Sequence, residues 1–337
     1  MKRFLIIDGS ALLSLKYYGN LPISIKYAKE DEEKEKHYGE ILQTSTGFYT
    51  NGLYGVAQTM LKIIRQQNPE YVAFVFDKSR NTFRKRIYDG YKATRHETPA
   101  PLKQQFIETE KMLANMGFKV FVSNEYEADD LAGSLAARFE NIPNLNVTLM
   151  TKDFDYVQLL NQSKNTTVWM IQSGKGGNLL PAMEDTNCPD NVDELDEKSA
   201  CERYGLPNAK TVIDFKALAG DKSDNIPGVK GVGDESAKKL ISKYLTIESL
   251  YEDIQIKGPD IENRWKEELD LRKGYYKKLI AEKDNAFLSK KLATIKTDIQ
   301  LGYQLEDFIC PTNWEKFDQQ FKKYEMSSLR VELAKMQ

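Results

Sequence analysis

Short apolar runs with little polar interruption recur through the first half of the chain, at Phe4–Ile7, Tyr71–Phe76, Lys119–Val122, Val147–Met150 and Val168–Ile171. They are rich in β-branched and aromatic residues, the composition of strands. Between them, apolar residues fall at helical spacing over Val56–Gln67, Leu102–Met116 and Glu127–Phe139. Strands alternating with helices predict βαβ units and a mainly parallel central sheet flanked by helices. Near-continuous apolar runs suit strands covered on both faces. From about residue 198 the pattern turns helical to the end, with Gly-Pro punctuation at Ile226–Gly233 and Gly258–Pro259. The expected organisation is therefore an α/β core over residues 1–200 and a helical region over 201–337, with no internal repeat.

Two segments break the rhythm. Residues 24–46 carry the charge-dense KEDEEKEK and read as a solvated, partly helical surface insertion. Residues 172–197 hold GKGG and then an acidic stretch from Glu184 to Glu197, which reads as a mobile loop.

Composition narrows the class. The 337 residues are 41% apolar and 29% charged, ordinary for a chain with a real core. Forty-eight Lys and Arg against fifty Asp and Glu leave a net charge of −2, which excludes a histone-like, globally basic protein but not locally sorted charge. No run of eighteen apolar residues occurs, so no membrane span is expected. Asp8 interrupts the apolar stretch after Met1-Lys2-Arg3 too early for an export signal. Cys188, Cys201 and Cys310 lack CxxC spacing, and His37 and His96 are too few for histidine-rich metal chemistry. A reducing cytoplasm is the expected compartment.

The acids are placed more tellingly. Asp8 follows the first apolar run, Asp77 the second, and Asp153 and Asp155 come just after the fourth. In an open parallel sheet the carboxyl ends of strands converge on one crevice. Glu127, Asp129 and Asp130 open a helix, and Asp221 and Asp224 lie three apart in a polar turn. Singly, helix-start acids complement the helix dipole and Asp-rich turns are ordinary. Together, so many like charges in one crevice call for hard divalent cations, which take oxygen ligands. Two such ions can clamp the attacking and leaving oxygens of a phosphodiester. A structural Ca²⁺ site would not need acids from five separate segments.

Residues 78–95 carry Lys78, Arg80, Arg84, Lys85, Arg86, Lys92 and Arg95 against the single acid Asp89, a net of +6 in a chain of net −2. Tyr88 and Tyr91 interleave with these cations, so the segment reads as a surface that tracks a nucleic-acid backbone and stacks on bases. Glycines at 228, 231 and 233, with Lys230, Lys238 and Lys239, precede a short helix. The spacing fits neither a dinucleotide fingerprint nor a P-loop. A hairpin between two helices, with backbone N–H groups open to phosphate, is the better reading.

The motifs IIDGSALL (6–13), FVFDKSRNTFRKRIYDGYKATR (74–95), EYEADDLAG (125–133), TKDFDYVQLL (151–160), KALAGDKSDNIPGVKGVGDESAKKL (216–240) and LSKKLATIKTDI (288–299) carry a resemblance. The chain resembles the 5′ nucleases of the flap-endonuclease superfamily, most closely the 5′→3′ exonuclease domain of bacterial DNA polymerase I. The resemblance runs from residue 4 to about 330, outside the two segments at 24–46 and 172–197, and implies a PIN-like core followed by a helix–three-turn–helix at about 205–245. It implies metal ligation by Asp8, Asp77, Glu127, Asp129, Asp130, Asp153, Asp155, Asp221 and Asp224, around two Mg²⁺ that Mn²⁺ can replace. Arg84 and Lys92 match basic positions beneath a helical arch, where they would steady the scissile phosphate. Tyr18, Arg95, Gly228, Lys230, Gly231, Gly233, Lys238 and Lys239 join them as DNA contacts, with one K⁺ at the glycine hairpin. Implied partners are DNA with a 5′ flap, a nick or an RNA primer, bound by a monomer in a bacterial cytoplasm at the nucleoid. A DNA polymerase module, in the same or another chain, is implied as well.

Two departures stand out. After the first motif comes LKYYGNLP, where an Arg-Ala-aromatic run is usual, so Lys16 is expected to replace the Arg and Tyr17 or Tyr18 to stack on a base. The insertion at 24–46 is unusual for the family. An RNA-cleaving PIN-type ribonuclease and a catalytically silent junction-binding scaffold are the competing readings. The first would not need the second helical unit, and the second would have lost acids.

Overall fold

The computed structural model describes residues 1–336 except Arg80, 162–164, 173–188 and Asp190. Arg80, Cys188 and the GKGG motif therefore lie outside the described residues. Among the described residues six strands form one sheet: β1 (Lys2–Asp8), β2 (Tyr71–Asp77), β3 (Lys119–Ser123), β4 (Leu145–Thr151), β5 (Thr166–Ile171) and β6 (Val192–Leu195), in the order β3-β2-β1-β4-β5-β6. The first five are mutually parallel and β6 runs antiparallel to β5.

Side chains of β1 alternate between faces with the strand's period of two. Leu5 and Ile7 pack with Phe74, Phe76, Val56 and Met112 on one side. Phe4 and Ile6 pack with Val75, Val147, Leu131 and Leu135 on the other. Both faces are thus covered, as the unbroken apolar runs require. The chain builds outward from β1 to β2 and β3, then crosses back to add β4 on the other side of β1. Strand order reverses at β1, and a ligand crevice opens at the carboxyl ends of the strands beside such a switch.

The second half is not wholly a body apart. Leu218, Val229, Val232, Leu240, Leu250 and Trp265 make a helical core of their own. Beyond it the chain returns to the sheet: Phe308 packs on Phe4 at 4.9 Å between ring centres, and Phe317, Phe321 and Leu329 join the core around Leu5 and Ile7. The insertion at 24–46 contains two short helices, Ile23–Tyr27 and Asp31–Lys36.

The expected loop at 172–197 contains β6 within its described part. Val192 and Leu195 are buried while Asp193 and Glu194 lie between them. An acidic tetrapeptide forms an edge strand here because its two apolar ends reach the core.

Candidate active site

The switch-point geometry delivers acids from several elements to one crevice of about 1240 Å³. Asp8 ends β1 and caps the helix Gly9–Gly19, accepting the Ala11 N–H at 2.8 Å and the Thr151 hydroxyl at 3.0 Å. Gly9 keeps this turn tight, since a Cβ there would lie 2.2 Å from the Phe76 ring. Asp77 ends β2 and accepts the Ala128 N–H at 2.9 Å, which ties it to the start of the helix Ala128–Phe139. Glu127 caps that helix, and Asp129 sits in its first turn. Asp153 follows β4 and caps the 3₁₀ segment Phe154–Leu159. Asp224 arrives from the turn after the helix Thr211–Ala219. All six of these acids line the crevice.

Their protonation reflects the crowding. Burial and the neighbouring Asp77 charge push Asp8 up to about 7, against the bonds from Ala11 and Thr151. Burial likewise drives Asp129 well above the usual carboxylate range. Glu127 goes the other way: burial is outweighed by Lys92 and Arg84, so it stays ionised.

Cations answer part of this charge. Lys92 reaches Glu127 at 2.8 Å and lies 3.7 Å from Asp224. Burial opposes its ammonium, but Glu127 and Asp224 outweigh that and hold it charged. Lys92 adopts a left-handed backbone, φ +54°, and its N–H donates to the Asp224 carbonyl at 2.8 Å, so the backbone fixes the lysine beside the turn that supplies Asp224. Arg95 donates to Asp224 at 2.5 Å from the crevice rim.

Several expectations are corrected. Arg84 does not reach the crevice: it is 1% exposed and bonds Asp130 twice, at 2.6 and 2.8 Å, and the carbonyls of Leu292 and Thr294. With its fork consumed inside, it has no face for a phosphate. Asp130 is also sealed, taking Arg84 and the N–H groups of Glu127 and Lys296, so it is not placed as a ligand. Tyr91 is 3% exposed and donates to Glu127 and Asp224 at 2.9 and 3.1 Å, which removes it from base stacking. Lys16 packs against Gly55 of the helix Asn51–Gln67 and does not line the crevice. Tyr17 is buried, whereas Tyr18 is 51% exposed on the crevice wall.

Asp155 and Asp221 stand apart from the six. Both pair with Lys216, Asp221 at 2.6 Å. Asp221 is held at about 2, where Lys216 and Ser223 outweigh burial. Lys216 was missed from sequence. Its only signal was a position five residues before Asp221 on the preceding helix.

At the glycine hairpin, Gly228 is buried with φ +61°, and a Cβ there would lie 2.4 Å from the Gly220 nitrogen. This glycine serves internal packing rather than a phosphate. Lys230, Gly231 and Gly233 are exposed, and nothing lies within 4 Å of a Cβ at Gly233. Lys238 is half-buried, and Lys239 donates to the Asp270 carbonyl at 3.1 Å.

Among the described residues, no group of three or more His, Cys, Asp or Glu side chains is already gathered into a metal cage. The donor set nevertheless fits a hard cation. Mg²⁺ keeps several waters and needs only one or two carboxylates, and raised acids such as Asp8 are what a cation would discharge. No helix among the described residues is long and apolar enough to cross a membrane.

Two domain models match in series: the N-terminal resolvase-like domain of 5′-3′ exonucleases over residues 3–205, and their C-terminal SAM fold over 207–319. DNA polymerase I of Caldicellulosiruptor bescii is 37% identical over 275 residues, 82% of this chain. The chain spans only 29% of that polymerase's length. A 5′-3′ exonuclease of Halalkalibacterium halodurans is 33% identical over 311 residues, 91% of this chain and 89% of that protein. Among solved structures, T5 5′-exonuclease with bound divalent metal ions (zinc) superposes with a TM-score of 0.60 at 18% identity, over 96% of this chain and 98% of that one. This last likeness speaks for the fold alone.

Proposed function

The chain belongs to the 5′-3′ exonuclease family, and from that membership we propose that it is a divalent-ion-dependent 5′ nuclease acting on flapped or nicked duplex DNA and on RNA primer ends. One observation carries the reading: Asp8, Asp77, Glu127, Asp129, Asp153 and Asp224 share a crevice with Lys92 and Arg95. Acids alone would repel a phosphodiester. Acids that hold a cation, beside a lysine and an arginine, accept one.

Asp8, Asp77, Asp129 and Asp153 are the residues that would hold Mg²⁺ or Mn²⁺. When bound, such an ion supplies an activated water and neutralises charge on the scissile phosphate. Lys92 spends one N–H on Glu127 and has two more donors, so it can meet the charge that develops on the phosphate. Glu127 and Asp224 hold that ammonium in place. Arg95, half-exposed at the rim, positions an adjacent phosphate. Tyr18 offers a ring to the base nearest the cut. Asp155 and Asp221, which now share the Lys216 ammonium, are the residues that would hold a second ion.

Lys230, Gly231 and Gly233 present backbone and charge away from the crevice and suit duplex phosphates. Contacts of this kind position without reading sequence, so selectivity should come from junction shape and a free 5′ end. A polymerase module working at the same nick is the partner this reading implies.

The test compares a 5′-labelled flap duplex, a blunt duplex and a single-stranded RNA, each with Mg²⁺ or EDTA. Metal-dependent release of short 5′ products from the flap supports the reading. Cleavage of RNA alone would replace it with the ribonuclease, and flap binding without cleavage in Mg²⁺ and Mn²⁺ with a silent scaffold. Asp153→Asn should abolish cleavage and keep flap binding.

A further inference from the structure

Tyr156 lines the crevice and has no part in the reaction above. It sits in the 3₁₀ segment Phe154–Leu159, immediately after Asp155, and its ring packs in the core with Ala128 and Leu131. It is 1% exposed, yet it borders the crevice. Its Oη has no hydrogen-bond partner among the described residues. Asp8, Asp77, Asp129 and Asp153 line the same crevice.

A buried hydroxyl left unbonded loses its hydration with no bond in return, and a phenylalanine would fill the same space without that loss. The phenol O–H is a donor on the wall of a crevice lined by carboxylate acceptors. Asp77, Asp129 and Asp153 each take a backbone N–H on Oδ1, from Ala128, Asp130 and Asp155, and so retain acceptor capacity on Oδ2. In a crevice filled with negative charge, a neutral donor can steady a carboxylate without competing for the cation's place. A lysine there would do the opposite.

We infer that Tyr156 is a positioning residue of the cation site, donating its hydroxyl hydrogen to a carboxylate oxygen of Asp77, Asp129 or Asp153 when these acids gather around a divalent ion. The inference rests on the cation-binding reading of the crevice and adds to it a neutral donor that fixes the orientation of one ligand. Outer partners of this kind typically change metal affinity 10–100-fold when removed.

The experiment titrates the full chain and Tyr156→Phe with Mn²⁺, reading free Mn²⁺ by electron paramagnetic resonance and the tyrosine absorption band by difference spectroscopy. Thermal melting without metal is recorded alongside. Tyr156→Phe should bind Mn²⁺ about 10–100-fold more weakly. It should lose the tyrosine difference band that Mn²⁺ induces in the wild type, and melt no lower than wild type. Equal Mn²⁺ affinity with an unchanged difference band would overturn the role while leaving the ion site standing. A markedly lower melting temperature for Tyr156→Phe would also overturn it, because the hydroxyl would then be bonded before any ion arrives. If the wild type itself takes up no Mn²⁺, the ion site and the role fall together.

Discussion

Arg84 and Asp130 meet in a two-pronged ion pair at 2.6 and 2.8 Å, with 1% and 0% of their surfaces exposed. The pair joins the start of the helix Ala128–Phe139 to the carbonyls of Leu292 and Thr294, and thereby to the segment that returns from the helical half to the sheet. A basic residue and an acid that look like substrate and metal contacts in the sequence are consumed in holding the crevice's back wall.

Arg84→Ala should therefore act on stability. Removing one partner of a buried pair leaves an uncompensated charge and costs about 3–5 kcal/mol. Urea unfolding should show that loss, whereas Arg95→Ala, at the exposed rim, should shift the midpoint little. Near-wild-type stability in Arg84→Ala would contradict the structural role.

Lys92→Ala should lower turnover by about 10²–10³-fold, the loss typical of removing one donor from a developing oxyanion. Single-turnover cleavage of a labelled flap checks this. A change confined to KM would show that the lysine only positions DNA.

The crevice acids also set a pH dependence. Asp8 is raised from 3.8 to about 7 by burial first and Asp77 second, and Asp155 is raised to about 7 by burial and Asp153. A raised acid binds its proton more tightly when folded, so its contribution is fully present below pH 3.8 and is lost as pH rises through about 7. The metal-free chain should lose stability across that window. Asp221, held at about 2, contributes in the opposite sense, its share disappearing only as pH falls from 3.8 towards 2. Asp8→Asn should flatten the upper window, as should saturating Mg²⁺. Urea midpoints between pH 4.5 and 7.5 measure it.

Gly228→Ala should destabilise the helical half. Its φ of +61° is unfavourable for an L side chain, and the new Cβ would sit 2.4 Å from the Gly220 nitrogen, backbone that cannot rotate away. Gly233→Ala, with nothing within 4 Å of its Cβ, should melt like wild type. Equal melting of the two variants would count against the packing role of Gly228.

Much of this was legible without a structure. The central strands showed because both faces of the sheet are covered and their residues are apolar throughout. Asp8 and Asp77 showed because each directly follows the last apolar position of its strand, and Asp153 because it lies three residues past Met150. β6 did not show, since Val192 and Leu195 are apolar only at its ends and acids lie between. Nor did Tyr91 or Lys216, for an aromatic among cations reads as a stacking surface and a helical lysine as a solvated one.

What the sequence by itself determined, then, is the order of the five parallel strands and the helices between them, the family, and which residue types gather at the strand ends, because local periodicity and motif spacing are properties of the chain. What only the tertiary structure decided is the direction each charge faces. Arg84 and Lys92 are eight positions apart in one basic segment, yet Arg84 is sealed against Asp130 while Lys92 borders the crevice beside Glu127. Net charge along a segment carries no information about burial. That is set by which distant elements pack over each side chain, and for Arg84 those are the carbonyls of residues more than two hundred positions away.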